Sequence, residues 1–407
     1  MTAATMGGVH APTTSTELRL HNLTRLLRAV HAGGGELTRS QLTRELGLAR
    51  GTATVLMSEL AAAEMVLERP LADRARGRPT HLVGPHPRGP IALATDLRED
   101  SWSITAAALG GASEMLECRH HTAGLATDVL AELSGALRRR MAELDGRVVG
   151  IGISVPASVR DGRVVDAVHL GWHDVDLVSL LRLDGHPLVR LGNDATLAAL
   201  AEARRGALRG VGVGLHLHVS LGVGGALVVE GRPLTGARGM AGEFGHLPLA
   251  GDPGQACACG SRGCWDLDVG ANALIRHLDQ DIPVDRRLDH AERLIAQAAG
   301  GDPASGRAVE TIARAFGRGI GALVNAHDPE AVTLSGLGAQ LYEAAPQTVA
   351  AGCEKALMAF RRQSPALIVS SCLGAAAPRI GTAEMVFDAF LTTEGLRTWR
   401  THQITSA

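Results

Sequence analysis

The sequence predicts an α/β protein that carries a small winged helix-turn-helix at its N-terminal end. Three observations lead there. Three helical periods are followed by two short strands around a basic loop. A Pro/Gly-rich stretch comes next. Beyond it, strand-like and helix-like segments alternate to the end of the chain. With 407 residues the chain is too long for one core of usual size, so two or three folding units are expected.

Taken in order, residues 1–17 are small and polar and read as a disordered tail without the apolar core of a signal peptide. The head spans 18–84. Leu23, Leu26, Leu27 and Val30 repeat at helical spacing, and Gly33-Gly34-Gly35 ends that helix. A second helix is expected over Arg39–Leu46, a tight turn at Gly47, and a third helix over Arg50–Glu64 that buries Val55, Leu56, Leu60 and Met65. Val66–Arg69 and Thr80–Val83 read as strands flanking the loop Asp73–Pro79. Two helices joined by a short glycine-containing turn form a helix-turn-helix, and the basic hairpin supplies the wing.

Pro85, Pro87, Gly89 and Pro90 mark a linker over 85–90. Strands are then expected at Pro90–Asp96, Ser103–Leu109, Val148–Val155, Leu188–Leu191, Gly214–Ser220, Ala226–Val229, Val332–Ser335 and Leu367–Ser370. Helices such as Thr127–Leu144 and Ser305–Ala326 lie between them, and no internal sequence repeat is visible.

Hydrophobic residues at 45% and charged residues at 20% exclude disorder over most of the chain. Aromatics are only 2%, so the core must be built from Ala, Leu and Val. No apolar run reaches the roughly 18–20 residues of a membrane span, and a cytoplasmic protein without membrane contact is expected. The net charge of −2 hides an asymmetry: residues 1–90 carry eleven arginines against seven acids, and the remainder is acidic. A basic head on an acidic body fits a nucleic-acid contact at the front.

The third helix begins Ala49-Arg50-Gly51-Thr52-Ala53-Thr54. Arg50, Thr52 and Thr54 would project from it toward base edges and phosphates of double-stranded DNA, since arginine can donate two hydrogen bonds to guanine. Arg76 and Arg78 of the wing would reach a minor groove or the phosphates. The start of this helix is weak: Ala49 offers no capping oxygen and Gly51 loosens the first turn.

Three of the six cysteines cluster, in Cys257-Ala258-Cys259-Gly260-Ser261-Arg262-Gly263-Cys264, and Gly245-His246 lies upstream. One imidazole and three thiolates make a tetrahedral set suited to Zn²⁺. His246, Cys257, Cys259 and Cys264 would fill every position, which makes the expected ion structural rather than hydrolytic.

This segment resembles the signature of the ROK family, which joins sugar-responsive repressors to bacterial sugar kinases. Gly-His, a spacer and Cys-x-Cys-Gly-x-x-Gly-Cys all match, and Asp266 stands where the family has Glu. Glu243-Phe244-Gly245-His246 resembles the family's Glu-x-Gly-His sugar motif, and Asn193-Asp194-Ala195 its Asn-Asp-Ala motif. Gly222-Val223-Gly224-Gly225 is similar to its second phosphate loop, and Val324-Asn325 through Ser335-Gly336 to its distal nucleotide region. With the winged head, the likeness is to the repressor subgroup, xylose-repressor-like or N-acetylglucosamine-repressor-like.

The resemblance implies a two-lobed actin-like ATPase (sugar kinase) fold. Residues 91–205 plus about 380–407 would form the first lobe, and 206–379 the second, with the zinc loop and a dimerisation surface. It implies sugar contacts from Asn193, Asp194, Glu243, His246 and Asp266, and a homodimer or dimer of dimers on an inverted-repeat operator. In the family's kinases the Asp194 position is the general base. The family's Asp-x-Gly-Gly-Thr phosphate turn is here Asp96-Leu97-Arg98-Glu99-Asp100-Ser101, so Arg98 and Glu99 replace the glycines and Asp100 the threonine, which puts two acidic side chains beside the phosphate position. Ser220-Leu221-Gly222 likewise departs from Gly-Thr-Gly. Asp194 thus reads as the relic of a base, and the protein as a sugar-modulated repressor. An ATP-dependent sugar kinase with a DNA-binding head is the second reading. A zinc enzyme is a third, opposed by the filled coordination shell. Val155-Pro156-Ala157 and Ala167-Val168-His169-Leu170 depart from the family's sugar contacts, which leaves the effector, a sugar or sugar derivative, open.

Overall fold

The computed structural model describes residues 14–70, 81–121, 124–183 and 188–406. The head comprises α1 (Ser15–Ala32), α2 (Arg39–Glu45), α3 (Arg50–Ala62) and the antiparallel hairpin β1 (Val66–Pro70) and β2 (His81–Pro85). α1 begins at Ser15, inside the stretch expected as tail, because Thr14 closes a capping box with Glu17. Thr38 caps α2 in the same way with Gln41. Ala49 gives α3 no side-chain cap, as its methyl group dictates.

The buried side of α3 differs from expectation at one residue. Val55 is 53% exposed, and Ala53, Leu56, Met57 and Leu60 face the core. These four keep the i, i+3, i+4, i+7 spacing of one helical face, and Val55 lies off that stripe. Arg50, Thr52 and Thr54 are exposed on the other side. Arg76 and Arg78 of the wing lie outside the described residues.

The first lobe contains β3 (Ile91–Leu97), β4 (Ser101–Ala108), β5 (Ser113–His120), α4 (Ala126–Glu143) and β6 (Val148–Val155). A small antiparallel sheet follows, formed by β7 (Ser158–Arg160), β8 (Arg163–Ala167) and β9 (Trp172–Val175). Then come α5 (Leu177–Leu180), β10 (Val189–Asn193) and α6 (Asp194–Arg205). The second lobe holds β11 (Val213–Val219), β12 (Val223–Val229), β13 (Arg232–Pro233), α7 (Ala271–His277), α8 (Arg287–Ala299) and α9 (Pro303–His327). It continues with β14 (Ala331–Gly336), α10 (Leu337–Ala344), α11 (Pro346–Ala356) and β15 (Leu367–Ser370), and the chain ends in α12 (Ala377–Phe390) and α13 (Thr393–Ser406).

The two five-stranded sheets share one plan: β10-β6-β3-β4-β5 in the first and β13-β12-β11-β14-β15 in the second. In each, the first strand in sequence (β3 or β11) is central. It pairs antiparallel with the next strand and parallel with the strand after the helical crossover. The repeat that the sequence hides is therefore a repeat of topology. β3 is buried along its whole length, which fits a strand covered on both faces. β5 escapes sequence reading because it is a polar, exposed edge strand without alternation.

α12 returns from the second lobe to pack across α6 and the first sheet. The approach is close: a Cβ at Gly381 would lie 1.7 Å from the Leu197 carbonyl oxygen. The head does not hang from a linker, as the composition of 85–90 suggests. Pro85 pairs in β2, the His86 N–H donates to the Met65 carbonyl, and Arg147 donates to the Pro87 and Gly89 carbonyls. Proline and glycine here encode a fixed turn rather than a hinge. Leu23, Leu27 and Leu60 of the head share one continuous core with Ala92 and Ala94 of the first sheet and with Phe387, Phe390 and Trp399 of the last two helices. Trp399 also donates from Nε1 to the Ala63 carbonyl at 2.8 Å.

Buried polar groups pin this seam. Glu384 of α12 accepts from Arg205 at 2.8 Å and lies 3.0 Å from the His31 ring. Arg205 also donates to the His31 carbonyl at 2.9 Å, and the Gly110 N–H donates to His31 Nδ1 at 3.0 Å. Burial alone would raise the Glu384 carboxyl, but His31 and Arg205 hold it below the ordinary range.

Candidate functional site

Asn193 and Asp194 stand at the end of β10 and the start of α6 in the first lobe, and Glu243 and the cysteine loop belong to the second. Asn193 caps α6: its Oδ1 accepts from the Thr196 N–H at 3.0 Å, and its Nδ2 donates to the Ala157 carbonyl at 3.2 Å. Asp194 Oδ1 accepts from the Ala195 N–H and from Asn193. Asp194 also lines a cavity of about 410 Å³, with Asp96, Glu99 and Arg98 from the first lobe and His218, Ser335 and Gly336 from the second.

That cavity is acidic. Asp96, Glu99, Asp194, Asp289, Glu292 and Glu343 line it against one arginine, Arg98. Burial, with Glu99 and Asp96 adding to it, pushes the Asp194 carboxyl up to about 7, against the pull of the Ala195 N–H and Arg98. His218 and, behind it, His216 are held neutral, mainly by burial, at about 4 and about 3. They bond to the hydroxyls of Ser335 and Thr333 at 2.8 Å, a polar network that motif reading missed because strand residues read as core.

Asp194 thereby sets a pH dependence. Between an ordinary carboxyl value of about 4 and about 7, the folded protein holds a proton that the unfolded chain gives up, so stability falls as pH rises through this window. Asp194→Asn removes that cost. Its melting temperature is expected to exceed the wild type's at pH 8, with the gap closing toward pH 4. Parallel melting curves across that range would refute the assignment.

Across the lobes, the Ser158 hydroxyl donates to Glu243 at 2.8 Å, a contact that motif reading did not anticipate. Glu243 precedes a short turn of 3₁₀ helix, Phe244–His246, that carries His246. Asp266 sits behind this turn and the glycine loop. Its Oδ1 accepts from the Val223 N–H at 2.7 Å, and its Oδ2 lies 4.0 Å from His246 Nδ1. A Cβ at Gly222 or Gly245 would lie within 2.6 Å or 2.1 Å of the Asp266 carboxylate, so glycine is required at both. His169, half-buried, is lowered by burial and by the nearby Arg287 and His246. It stands where the sequence departs from the family's sugar contacts. The structure thus gathers Asn193 and Asp194 on one lobe, and Glu243, His246 and Asp266 on the other. Asn325, from the stretch likened to the nucleotide region, bonds the Ala356 carbonyl and the Met358 N–H at the end of α11.

His246, Cys257, Cys259 and Cys264 bring their ligand atoms within 4.8 Å of one another. A tetrahedral ion at about 2.3 Å from each sulfur requires ligands about 3.8 Å apart. Cys259 and Cys264 sulfurs are 3.7 Å apart, and Cys257 Sγ is 3.9 Å from His246 Nδ1. The donor set fits one metal ion. Gly260 and Gly263, at φ of +88° and +68°, make the turns that fold three thiols onto one point.

The profile of the ROK family matches residues 101–389. The chain belongs to the ROK family. The xylose repressor of Bacillus subtilis (strain 168) is 24% identical over 359 residues, covering 87% of this chain and 92% of that protein. A glucokinase of Halalkalibacterium halodurans is 30% identical over 224 residues, covering 51% of this chain and 68% of the glucokinase. Among solved structures, a ROK family transcriptional regulator, a homologue of the E. coli MLC protein, superposes with a TM-score of 0.73 at 24% identity over 94% of this chain and 99% of that one. A Streptomyces griseus ROK glucokinase, solved with glucose and AMPPNP, gives 0.61 at 23% identity, over 72% and 98%. The fold is therefore a winged helix-turn-helix on a two-lobed actin-like body. The repressor likeness runs nearly the full length, whereas the glucokinase likeness covers about half of the chain in sequence. Among the described residues no helix is long and apolar enough to cross a membrane.

Proposed function

We propose that this ROK protein is a transcriptional repressor whose operator binding is modulated by a sugar or sugar derivative held between the lobes. The observation that carries the reading is the head itself: a winged helix-turn-helix with Arg50, Thr52 and Thr54 exposed on its third helix, within a likeness to xylose repressors that covers 87% of the chain. Asn193, Asp194, Glu243, His246 and Asp266 supply the acceptors and donors that sugar hydroxyls need. A structural Zn²⁺ on His246 and the three cysteines would orient the Glu243 turn. Two heads in a homodimer, or a dimer of dimers, would read two half-sites of an inverted repeat.

The chain can link the two sites. α6 starts at the candidate sugar contacts Asn193 and Asp194 and ends, about 18 Å away, at Arg205 on the His31–Glu384 seam of the head. A ligand that shifts the start of α6 differently in two states would move the head and change operator affinity.

Phosphoryl transfer is disfavoured by charge. A nucleotide triphosphate would enter a cavity lined by six carboxyl groups and one arginine, and Glu99 stands where the family's kinases have glycine. The protein is thus read as having lost kinase activity.

The test is direct. Full-length protein should retard a DNA inverted repeat, and residues 91–407 should not. Arg50→Ala should lose about 1–3 kcal/mol at one base position. A panel of hexoses should give no sugar-dependent ATP consumption. Hexose phosphorylation by the wild type that is lost in Asp194→Asn, or operator binding equal in the wild type and the Arg50→Ala variant, would overturn the reading.

A further inference from the structure

A second cavity is larger than the one at Asp194. It is a groove of about 1100 Å³ along α6, walled by α1 of the head on one side and by β7, β13 and the loop at 235–239 on the other. Its volume slightly exceeds the usual range of small-molecule clefts, about 300–1,000 Å³. The groove is unusually rich in arginine. Arg204 and Arg205 are spoken for, by Asp388 at 2.9 Å and by Glu384 at 2.8 Å. Arg28 and Arg209 bond the backbone carbonyls of Leu391 and Ala32, and make no ion pair among the described residues. Arg160, Arg232 and Arg238 are exposed and make no ion pair among the described residues.

Asp161 is the single remaining acid in the wall against these five cations. Clustering them costs repulsion that a neutral ligand would not relieve and an anion would. The Nε of Arg204 is also buried without a hydrogen-bond acceptor. Thr196 and Thr235 add neutral donors and acceptors, Leu197 and Leu200 an apolar floor, and Asn193 stands where the groove adjoins the cleft. Planar guanidinium forks match phosphate oxygens, and the neutral groups match a hydroxylated body.

We propose that this groove binds a small phosphorylated metabolite, at a site that adjoins the sugar cleft at Asn193 but shares no charged residue with the Asp194 cavity. Because its walls come from both head and body, an occupant would touch both sides of the seam, and its binding would be linked to the head's position.

The experiment is calorimetric titration of the full-length protein with a hexose 6-phosphate, using the same unphosphorylated hexose as control. Saturable binding of the phosphate ester is expected, weakened at least about tenfold in an Arg232→Ala/Arg238→Ala variant whose melting temperature stays that of the wild type. Two exposed guanidinium contacts to one phosphate account for that loss. Glu243→Gln should leave phosphate-ester binding unchanged, since Glu243 does not line the groove and glutamine can keep the Ser158 contact. Absence of saturable binding, equal binding by the double variant, or loss of binding in Glu243→Gln would overturn the proposal. No operator is needed, so this result is independent of whether the protein represses transcription.

Discussion

Cys259→Ser is expected to strip the ion from the cysteine loop and to disorder the candidate sugar site with it. The wild type, purified from zinc-replete cells, should carry one Zn²⁺ per chain, and the variant should retain less than a tenth of that. The reason is how little else closes the loop. None of residues 251–262 is buried, and the loop's apolar anchor is Trp265, which is fully buried, stacks on Phe316 and donates to the Ala315 carbonyl. Serine's hydroxyl is a poor substitute for a thiolate on zinc, and losing one of four ligands costs more than the 10–100-fold that outer contacts cost. Metal binding is here folding energy, so the loss should appear as a lower melting temperature and faster proteolysis between Leu249 and Cys264. It should also weaken any sugar response, because His246 follows Glu243 in one short turn. A metal-free wild type of normal stability would refute the assignment. So would a Cys259→Ser protein with full zinc content.

Glu384→Ala is expected to lower stability by about 3–5 kcal/mol, because it leaves Arg205 as a buried cation without its partner. Side-chain exposure is 4% for Glu384 and 15% for Arg205, so water replaces the lost carboxylate only in part. Chemical denaturation should show a lower midpoint. Limited proteolysis should show the head released from the body before the lobes unfold, since the His31 contact goes as well. The effect should shrink in acid. The Glu384 carboxyl is held below its ordinary range, so its contribution is present above that range and is lost as pH falls through the folded value. A Glu384→Ala protein as stable as the wild type at pH 7 would show that the seam is held by its apolar core alone.

Much of the local structure was legible in the chain. The leucine spacing of α1, the glycine stop after it and the basic hairpin outlined the head, because these signals act within a few residues. The His–Cys spacing was legible for the same reason: the turns between Cys257 and Cys264 are local, and glycines make them. Asn193-Asp194 could be placed at a helix start because capping is chemistry between near neighbours. Val55 was misplaced because its burial depends on which face of α3 meets α1, and one residue's rotation of about 100° decides it. β5 was missed because an edge strand takes its order from the neighbour it pairs with rather than from its own pattern.

The sequence by itself therefore determined the parts: a DNA-reader-like head, a metal loop, two sets of strands and helices, and a phosphate turn whose glycines are gone. Only the tertiary structure decided how those parts are joined. His31 and Glu384 are 353 residues apart in the chain and 3.0 Å apart in the fold. Six carboxyl groups from distant segments converge on one cleft, and arginines from separate elements line one groove. Neither convergence has a local signature, because charge adds up through space and the chain's order carries no distance once its two sheets have packed.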